Sequence, residues 1–359
     1  RDVAPSRGLG DVYKRQLLPL IVFLGLLSAE AQQSQSKKYK VYGVAFYNLE
    51  NLFDTINNNG KYDLEFSPQG ARRWDGRKYW SKISNLARAI ASMTTTTTPY
   101  GPAVIGVSEI ENRSVLEDLV ADPQISKWDL QIVHHDSPDR RGVDVGLLYN
   151  PRFFTVEGVT NHRLRIEGNE NFRTRDQMCV VGRIAGERMA VIVNHWPSRL
   201  GGQEQSSYLR EAAAALSKSI ADSLWRIDPD MAVIVMGDLN DDPQDKSCAK
   251  VLGGKKNAAD AEAHGFYNPW WKVLDSGVGT LAYKSAWNLF DQIIISGNLA
   301  NAPDGKLQYW KCEVLNRDFL KDKNGNRQGY PLRTFSAGVH LDGYSDHFPT
   351  EVFLRKAVK

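Results

Sequence analysis

Cysteine is scarce in this chain: Cys179, Cys248 and Cys312 are the whole complement in 359 residues. An odd number without knuckle spacing argues against both a disulfide framework and a zinc module. An excess of one charge is also missing. The 45 Lys and Arg against 42 Asp and Glu leave +3, far from the dense basic field that binds nucleic acid by charge alone. Any preference for phosphate must then come from local placement. Long apolar runs are wanting too, since Leu17 to Leu27 offers 11 residues, too few to cross roughly 30 Å of hydrocarbon. What is present is ordinary: 42% hydrophobic, 24% charged and 10% aromatic residues, a globular balance that argues against a mainly disordered, collagenous or multi-span membrane chain.

The first residue is Arg, so residues 1–13 are read as non-native sequence with no structural weight. Lys14 and Arg15, the Leu17–Leu27 run and the small residues ending Ala29-Glu30-Ala31 have the three-part layout of a secretory signal peptide. Residues 1–31 are therefore set aside, with cleavage expected after Ala31 and a periplasmic or extracellular mature protein that has no stable membrane insertion. Residues 32–40 read as a linker and 41–356 as one domain.

Strand-like runs are expected at Val41–Leu49, Ala103–Val107, Val143–Tyr149, Cys179–Ala185, Met189–Val193, Met231–Met236, Gln292–Ile295 and Thr350–Leu354. Helical spacing appears at Ile83, Leu86, Ala87 and Ile90, and again from Leu209 to Ile220. Ser114 with Glu117 reads as a capping box, and Thr94–Thr98 before Pro99 as a loop. Many strands with few intervening helices suggest two packed sheets with helices outside.

Six polar clusters mark strand ends. Asn48, Glu109, Asn194-His195 and Asp238-Leu239-Asn240 each follow an apolar run, whereas Asp291 and Asp346-His347 precede one. For all six to meet at one edge, strands leaving the site must run opposite to strands entering it, which predicts mixed or antiparallel sheets. Singly, an Asp or Asn after a strand is usually a turn former. Together these side chains supply what phosphate-ester hydrolysis needs. Oxygen ligands such as Glu109 and Asn48 suit Mg²⁺, Asp238 can take a proton from water, and His195 and His347 can meet the phosphate or protonate the leaving oxygen. A buried carboxylate, Asp291 or Asp346, would keep its imidazole cationic.

The motifs YNLENLFD, VSEIEN, RRGVDVGLLYNP, VNHWPSR, GDLND, LFDQIIIS and SDHFP resemble the endonuclease/exonuclease/phosphatase family, which includes pancreatic deoxyribonuclease, abasic-site endonucleases, bacterial sphingomyelinases and inositol polyphosphate 5-phosphatases. The resemblance spans Val41 to about Leu354. It implies an α/β fold, a four-layer α/β/β/α sandwich with the site at one edge of the paired sheets. It further implies Mg²⁺ at Glu109 near Asn48 with Asp346 close to the metal, Mn²⁺ or Ca²⁺ being alternatives. Asp238 would align water, Asn240 and His195 would contact phosphate, and His347 would be oriented by Asp291. Gln292 stands where 5-phosphatases carry Arg, which argues against an inositol phosphate substrate. Tyr149 lies near the position of a phosphate-contacting tyrosine without securely matching it.

Other stretches remain open at this level. Asp144 either pairs with His195 or is a satisfied polar group on a sheet face. Arg199, followed by Gly201 and Gly202, either clamps a phosphate or belongs to a surface turn. Arg173 and Arg175, with Arg72, Arg73 and Trp74, could track a nucleic-acid backbone, although scattered arginines are usually solvated. His134, His135 and His264 read as structural, Trp270-Trp271 as packing and Cys179 as a small buried hydrophobe. The reading is a secreted or periplasmic Mg²⁺-dependent phosphoesterase, foremost a nuclease acting on nucleic acid or another phosphodiester. The alternatives are a phosphatase or sphingomyelinase-like phospholipase, and a non-catalytic binding module. No protein partner is indicated.

Overall fold

In β1 (Tyr39–Leu52), Val44 and Phe46 take one side and Ala45 and Tyr47 the other, and both sides are buried. A strand covered on both faces belongs inside a layered body, and this one sits at the centre of its sheet. The structure, a computed structural model, describes residues 37–57, 64–283 and 285–358. The leader expected over residues 1–31 lies outside them. From Tyr39 onward the chain forms one compact unit, and β1 already includes Tyr39 and Lys40, which the linker expectation had left outside.

Strands are numbered along the chain. With β1, the strands β2 (Val104–Ile110), β3 (Gln131–His134), β4 (Asp144–Tyr149), β14 (Gln308–Val314) and β17 (Thr350–Ala357) form one sheet, ordered β14-β17-β1-β2-β4-β3. The second sheet holds β5 (Phe154–His162), β6 (Gln177–Ile184), β7 (Glu187–His195), β8 (Ala232–Asp238), β9 (Gly254–Lys255), β10 (Phe266–Tyr267) and β13 (Asp291–Ser296), ordered β5-β6-β7-β8-β13-β10-β9. Two small ribbons pair β11 (Leu281–Tyr283) with β12 (Ala286–Asn288) and β15 (Phe335–Ser336) with β16 (Val339–His340).

Three apolar clusters define the layers. Val44, Phe46, Val352 and Leu354 of the first sheet meet Val191, Val193, Ile234, Met236, Ile293 and Ile295 of the second. Outside the first sheet, Ala45, Tyr47 and Ile105 pack on Ile83, Leu86 and Ile90 of α1 (Gly76–Ala91) and Leu116 and Leu119 of α2 (Arg113–Ala121). Outside the second, Ala190, Ile192, Val233 and Val235 receive Ala213, Ile220 and Trp225 of α3 (Gln203–Ile227). The result is helix, sheet, sheet, helix, an α/β fold with mixed sheets. Among the described residues no helix is long and apolar enough to cross a membrane.

The sheets share one device. In each, a parallel pair, β1 with β2 or β7 with β8, is flanked by an antiparallel strand, β17 or β13. Strands that leave the site and strands that enter it therefore lie side by side, as the six clusters require.

Some local expectations change. The cap of α2 is Asn112, whose side chain accepts a hydrogen bond from Val115 N at 3.2 Å. Ser114 sits inside the first turn and donates to Asn112 Oδ1 instead of capping, and Glu117 pairs with Arg113. Trp74 is fully buried, its Nε1 donating to Phe53 O, so it has no face to offer a nucleobase. Cys179 is buried, as expected, and His264 stacks on Trp225.

Candidate active site

The ends of β1, β2, β7 and β8 and the starts of β13 and β17 converge on one polar cluster. Register does much of this: His195 lies opposite Asp238 across β7 and β8, and Asp291 lies opposite Asp238 across β8 and β13. From the other sheet, Asn48 Nδ2 donates to Asp238 Oδ2 at 3.0 Å. Asn240 N donates to the other Asp238 oxygen at 3.0 Å. Ser345 Oγ donates to Asn48 O at 2.6 Å and receives His347 N at 3.1 Å, which splints the end of β1 to the approach to β17.

Two adjacent irregularities aim the first-sheet residues. The β1–β2 register slips between Asn48 and Leu52, and the β2–β4 register slips between Ser108 and Ile110. Within these bulges Glu50, Asn51 and Glu109 all take positive φ (48°, 50° and 60°), a costly conformation for side-chain-bearing residues that tends to gather at functional sites. In return Asn51 N donates to Glu109 Oε2 at 3.0 Å. Arg141 donates to Glu109 Oε1 at 3.1 Å and to the Asn51 side chain.

His347 Nδ1 lies 2.7 Å from Asp291 Oδ2, while its Nε2 lies 3.9 Å from Asp238 Oδ2 and 3.9 Å from Asp346 Oδ1. Burial disfavours its cation, yet the Asp291 and Asp238 carboxylates outweigh it and hold the imidazole pKa well above its usual value. His195 behaves oppositely. Its Nε2 lies 3.6 Å from Asp238 and 3.8 Å from Glu109, but burial and the neighbouring Arg175 cation depress its pKa well below the usual value. The two imidazoles thus sit in opposite electrostatic settings, His347 favouring the cation and His195 the neutral ring. Burial, partly offset by His347 and reinforced by Asp291, raises Asp238 to about 6. For Glu109, burial is overcome chiefly by the Arg141 cation, which keeps its carboxyl far below the ordinary range.

The structure brings together Asn48, Glu109, His195, Asp238, Asn240, Asp291, Asp346 and His347. It does not bring in the other three candidates. Asp144 pairs with His134 at 3.0 Å and with Ser137, not with His195. Arg175 lies behind His195, its donors spent on His195 O, Trp196 O and Asp139. Arg199 is engaged by Asp241, Asp242 and Asp245 and stacks over Phe290. Arg173 donates to nearby carbonyls of Glu170 and Phe172, and Arg72 pairs with Glu65.

Residues outside the sequence reading also surround the site. Lys82, buried, reaches Thr334 Oγ1 at 2.5 Å and Glu50 at 3.4 Å, and Arg333 bridges Glu50 and Asp346. Beside them a cavity of about 320 Å³ is lined by Glu50, Asn51, Phe66, Arg72, Arg333 and Phe335. The paired arginines of RRGVDVG, in a motif already singled out, were the available sign of Arg141; nothing local marked Lys82, which is apolar-spaced on α1.

Glu109, its pKa lowered beside Arg141, shares the strand-end edge with Asn48 and Asp346, and such oxygen donors suit a hard divalent cation. Asp238, Asp291 and His347 also come within 4.8 Å of one another, and the 2.7 Å contact of His347 Nδ1 with Asp291 gives this trio a hydrogen bond of the kind that orients an imidazole for proton transfer.

A model of the endonuclease/exonuclease/phosphatase family matches residues 43–356. An endonuclease/exonuclease/phosphatase family protein from Bacteroides thetaiotaomicron superposes with a TM-score of 0.54 at 16% identity, covering 90% of this chain and all of its own. TDP2 from D. rerio complexed with a single-strand DNA product gives 0.52 at 13% identity, covering 88% and 98%. A mannosyl-6-phosphatase from B. thetaiotaomicron gives 0.52 at 16% identity, covering 87% and 99%. No curated protein sequence matches the chain. At these identities the superpositions speak for the fold.

Proposed function

The chain belongs to the endonuclease/exonuclease/phosphatase family and is a phosphate-ester hydrolase, and we propose that it is an exported, Mg²⁺-dependent nuclease that hydrolyses phosphodiester bonds. The observation that carries this is the pairing of a cationic His347, held by Asp291, with a carboxylate, Asp238, raised to about 6. An acid and a base whose surroundings push them apart are what in-line hydrolysis of a phosphate ester uses.

Asp238, fixed by Asn48 and Asn240 N, accepts a proton from the attacking water as the new P–O bond forms. His347 faces the phosphoryl group and supplies a proton to the departing oxygen as the old P–O bond breaks. His195, neutral, donates one hydrogen bond without adding charge. Glu109, with Asn48 and Asp346, would hold the divalent ion, which when bound stabilises negative charge on the phosphoryl oxygens. Export rests on the 14–31 segment. Nucleic acid as substrate is supported by the D. rerio structure's bound DNA product; a phosphomonoester is the second reading, supported by the mannosyl-6-phosphatase likeness.

The test is a panel of plasmid DNA, RNA, sphingomyelin, a chromogenic phosphodiester and a phosphomonoester. It is run with Mg²⁺ on protein recovered from the periplasmic fraction, whose first residue is expected to be Gln32. Nucleic-acid cleavage is the expected result. Turnover of the monoester alone would replace the nuclease reading with the phosphatase one.

A further inference from the structure

Arg141 stands where the metal-binding carboxylate needs a positive charge. It rises from the loop between β3 and β4, and that loop is tied down at several points. Arg141 N donates to Asp139 Oδ1 at 2.9 Å, and Asp139 Oδ2 receives Arg175 at 3.1 Å. Arg175 in turn holds the carbonyls of His195 and Trp196. At the loop's roots, Asp144 binds His134 and Ser137 N. The backbone of Arg141 is therefore anchored to the same strand end that carries His195, while its long side chain remains 27% exposed and reaches Glu109 and Asn51.

A guanidinium and a divalent cation cannot both occupy Glu109 Oε1 without strong mutual repulsion. Resting on the phosphoesterase reading above, we propose that Arg141 is the counter-cation of Glu109 in the metal-free protein, that divalent metal displaces it, and that the released guanidinium becomes a catalytic contact to the scissile phosphate. The short reach from Glu109 and the fixed backbone keep the displaced group within the site. Its planar donors then match two phosphoryl oxygens. The ion pair with Arg141 also compensates the charge of a buried carboxylate at a strained backbone position.

Two variants, Arg141→Ala and Arg141→Lys, separate these roles. Mn²⁺ affinity is measured by calorimetric titration of the metal-stripped full chain, turnover by phosphodiester hydrolysis at saturating Mg²⁺, and folding by thermal unfolding. Arg141→Ala should bind Mn²⁺ about tenfold or more tightly, because a competing cation is gone, while turnover falls on the order of 10²-fold. Arg141→Lys, keeping charge but not the planar fork, should show near wild-type Mn²⁺ affinity with reduced turnover. Unchanged or weaker Mn²⁺ binding by Arg141→Ala would overturn the displacement, and normal turnover would overturn the phosphate contact. If the wild-type chain hydrolysed no phosphate ester, the functional reading would fall, yet the Mn²⁺ comparison would still report on Arg141 at Glu109.

Discussion

Asp291 is fully buried, with one oxygen 2.7 Å from His347 Nδ1 and the other without a hydrogen-bond partner. An isolated carboxylate so placed would be expensive, and the His347 cation is its compensation. The two residues should therefore act as a unit. Asp291→Asn keeps the shape and removes the charge, and His347→Ala removes the proton donor. Each should lower kcat on the order of 10²-fold with a smaller effect on KM, because the charge they meet develops in the transition state. The double variant should be no worse than the poorer single one. Steady-state kinetics on all three variants checks this, and multiplicative losses would show that the pair does not work together. Residue identities at this site were largely legible beforehand because each follows or precedes an apolar run. A carboxylate partner favouring an imidazole cation was legible too, but the depressed pKa values of His195 and Glu109 were not, since they depend on Arg175 and Arg141, which come from other elements.

At the scale of elements, β17 carries an unusual burden. Glu351 lies opposite Ala45 on β1 and Glu313 on β14, is fully buried, and has no hydrogen-bond partner on either carboxylate oxygen. Gly43 makes room for it, for a Cβ there would stand 2.1 Å from Glu351 Oε1. Burial, reinforced by Glu313, pushes the Glu351 pKa well above its ordinary 4.5. The folded chain then keeps a proton that the unfolded chain releases, so stability falls as pH rises from about 4.5 toward the raised value. Glu351→Gln should raise stability at neutral pH by about 1–3 kcal/mol, with the gain vanishing below pH 4. Urea unfolding at pH 4 and pH 8 measures it; equal effects at both would mean that the carboxyl is not the cause.

The elements themselves divide cleanly. All eight expected strands are present, because central strands buried on both sides read as apolar runs. The missed ones include β3, β5 and β14, each at the end of its sheet. Half-exposed sequences such as FTVEGVTNH and QYWKCEV have no such run. The cap of α2 was misplaced by two residues, and the expected capping box is not formed, because Asn112 and Ser114 offer similar oxygens and only the backbone decides which lies outside the helix.

For the whole molecule, mixed sheets were visible in the direction in which polar clusters meet their strands, whereas the four-layer sandwich was what the family resemblance implied. The mixed sheets are confirmed by parallel pairs flanked by antiparallel strands in both. The surrounding charge network was not visible: Lys82, Glu50, Arg333 and Asp346 meet only because β1, α1 and the segment before β17 fold together. The central claim is that this assembled edge is a divalent-metal phosphoesterase site organised on Glu109. Its most direct test is a Mg²⁺ titration of phosphodiester hydrolysis by metal-stripped wild-type protein and by Glu109→Gln. The wild type should be inactive when stripped and fully restored by Mg²⁺, while Glu109→Gln needs far more Mg²⁺ and recovers only a small fraction of the rate. Full activity of the stripped wild type in EDTA, or a Glu109→Gln response matching the wild type, would contradict the claim.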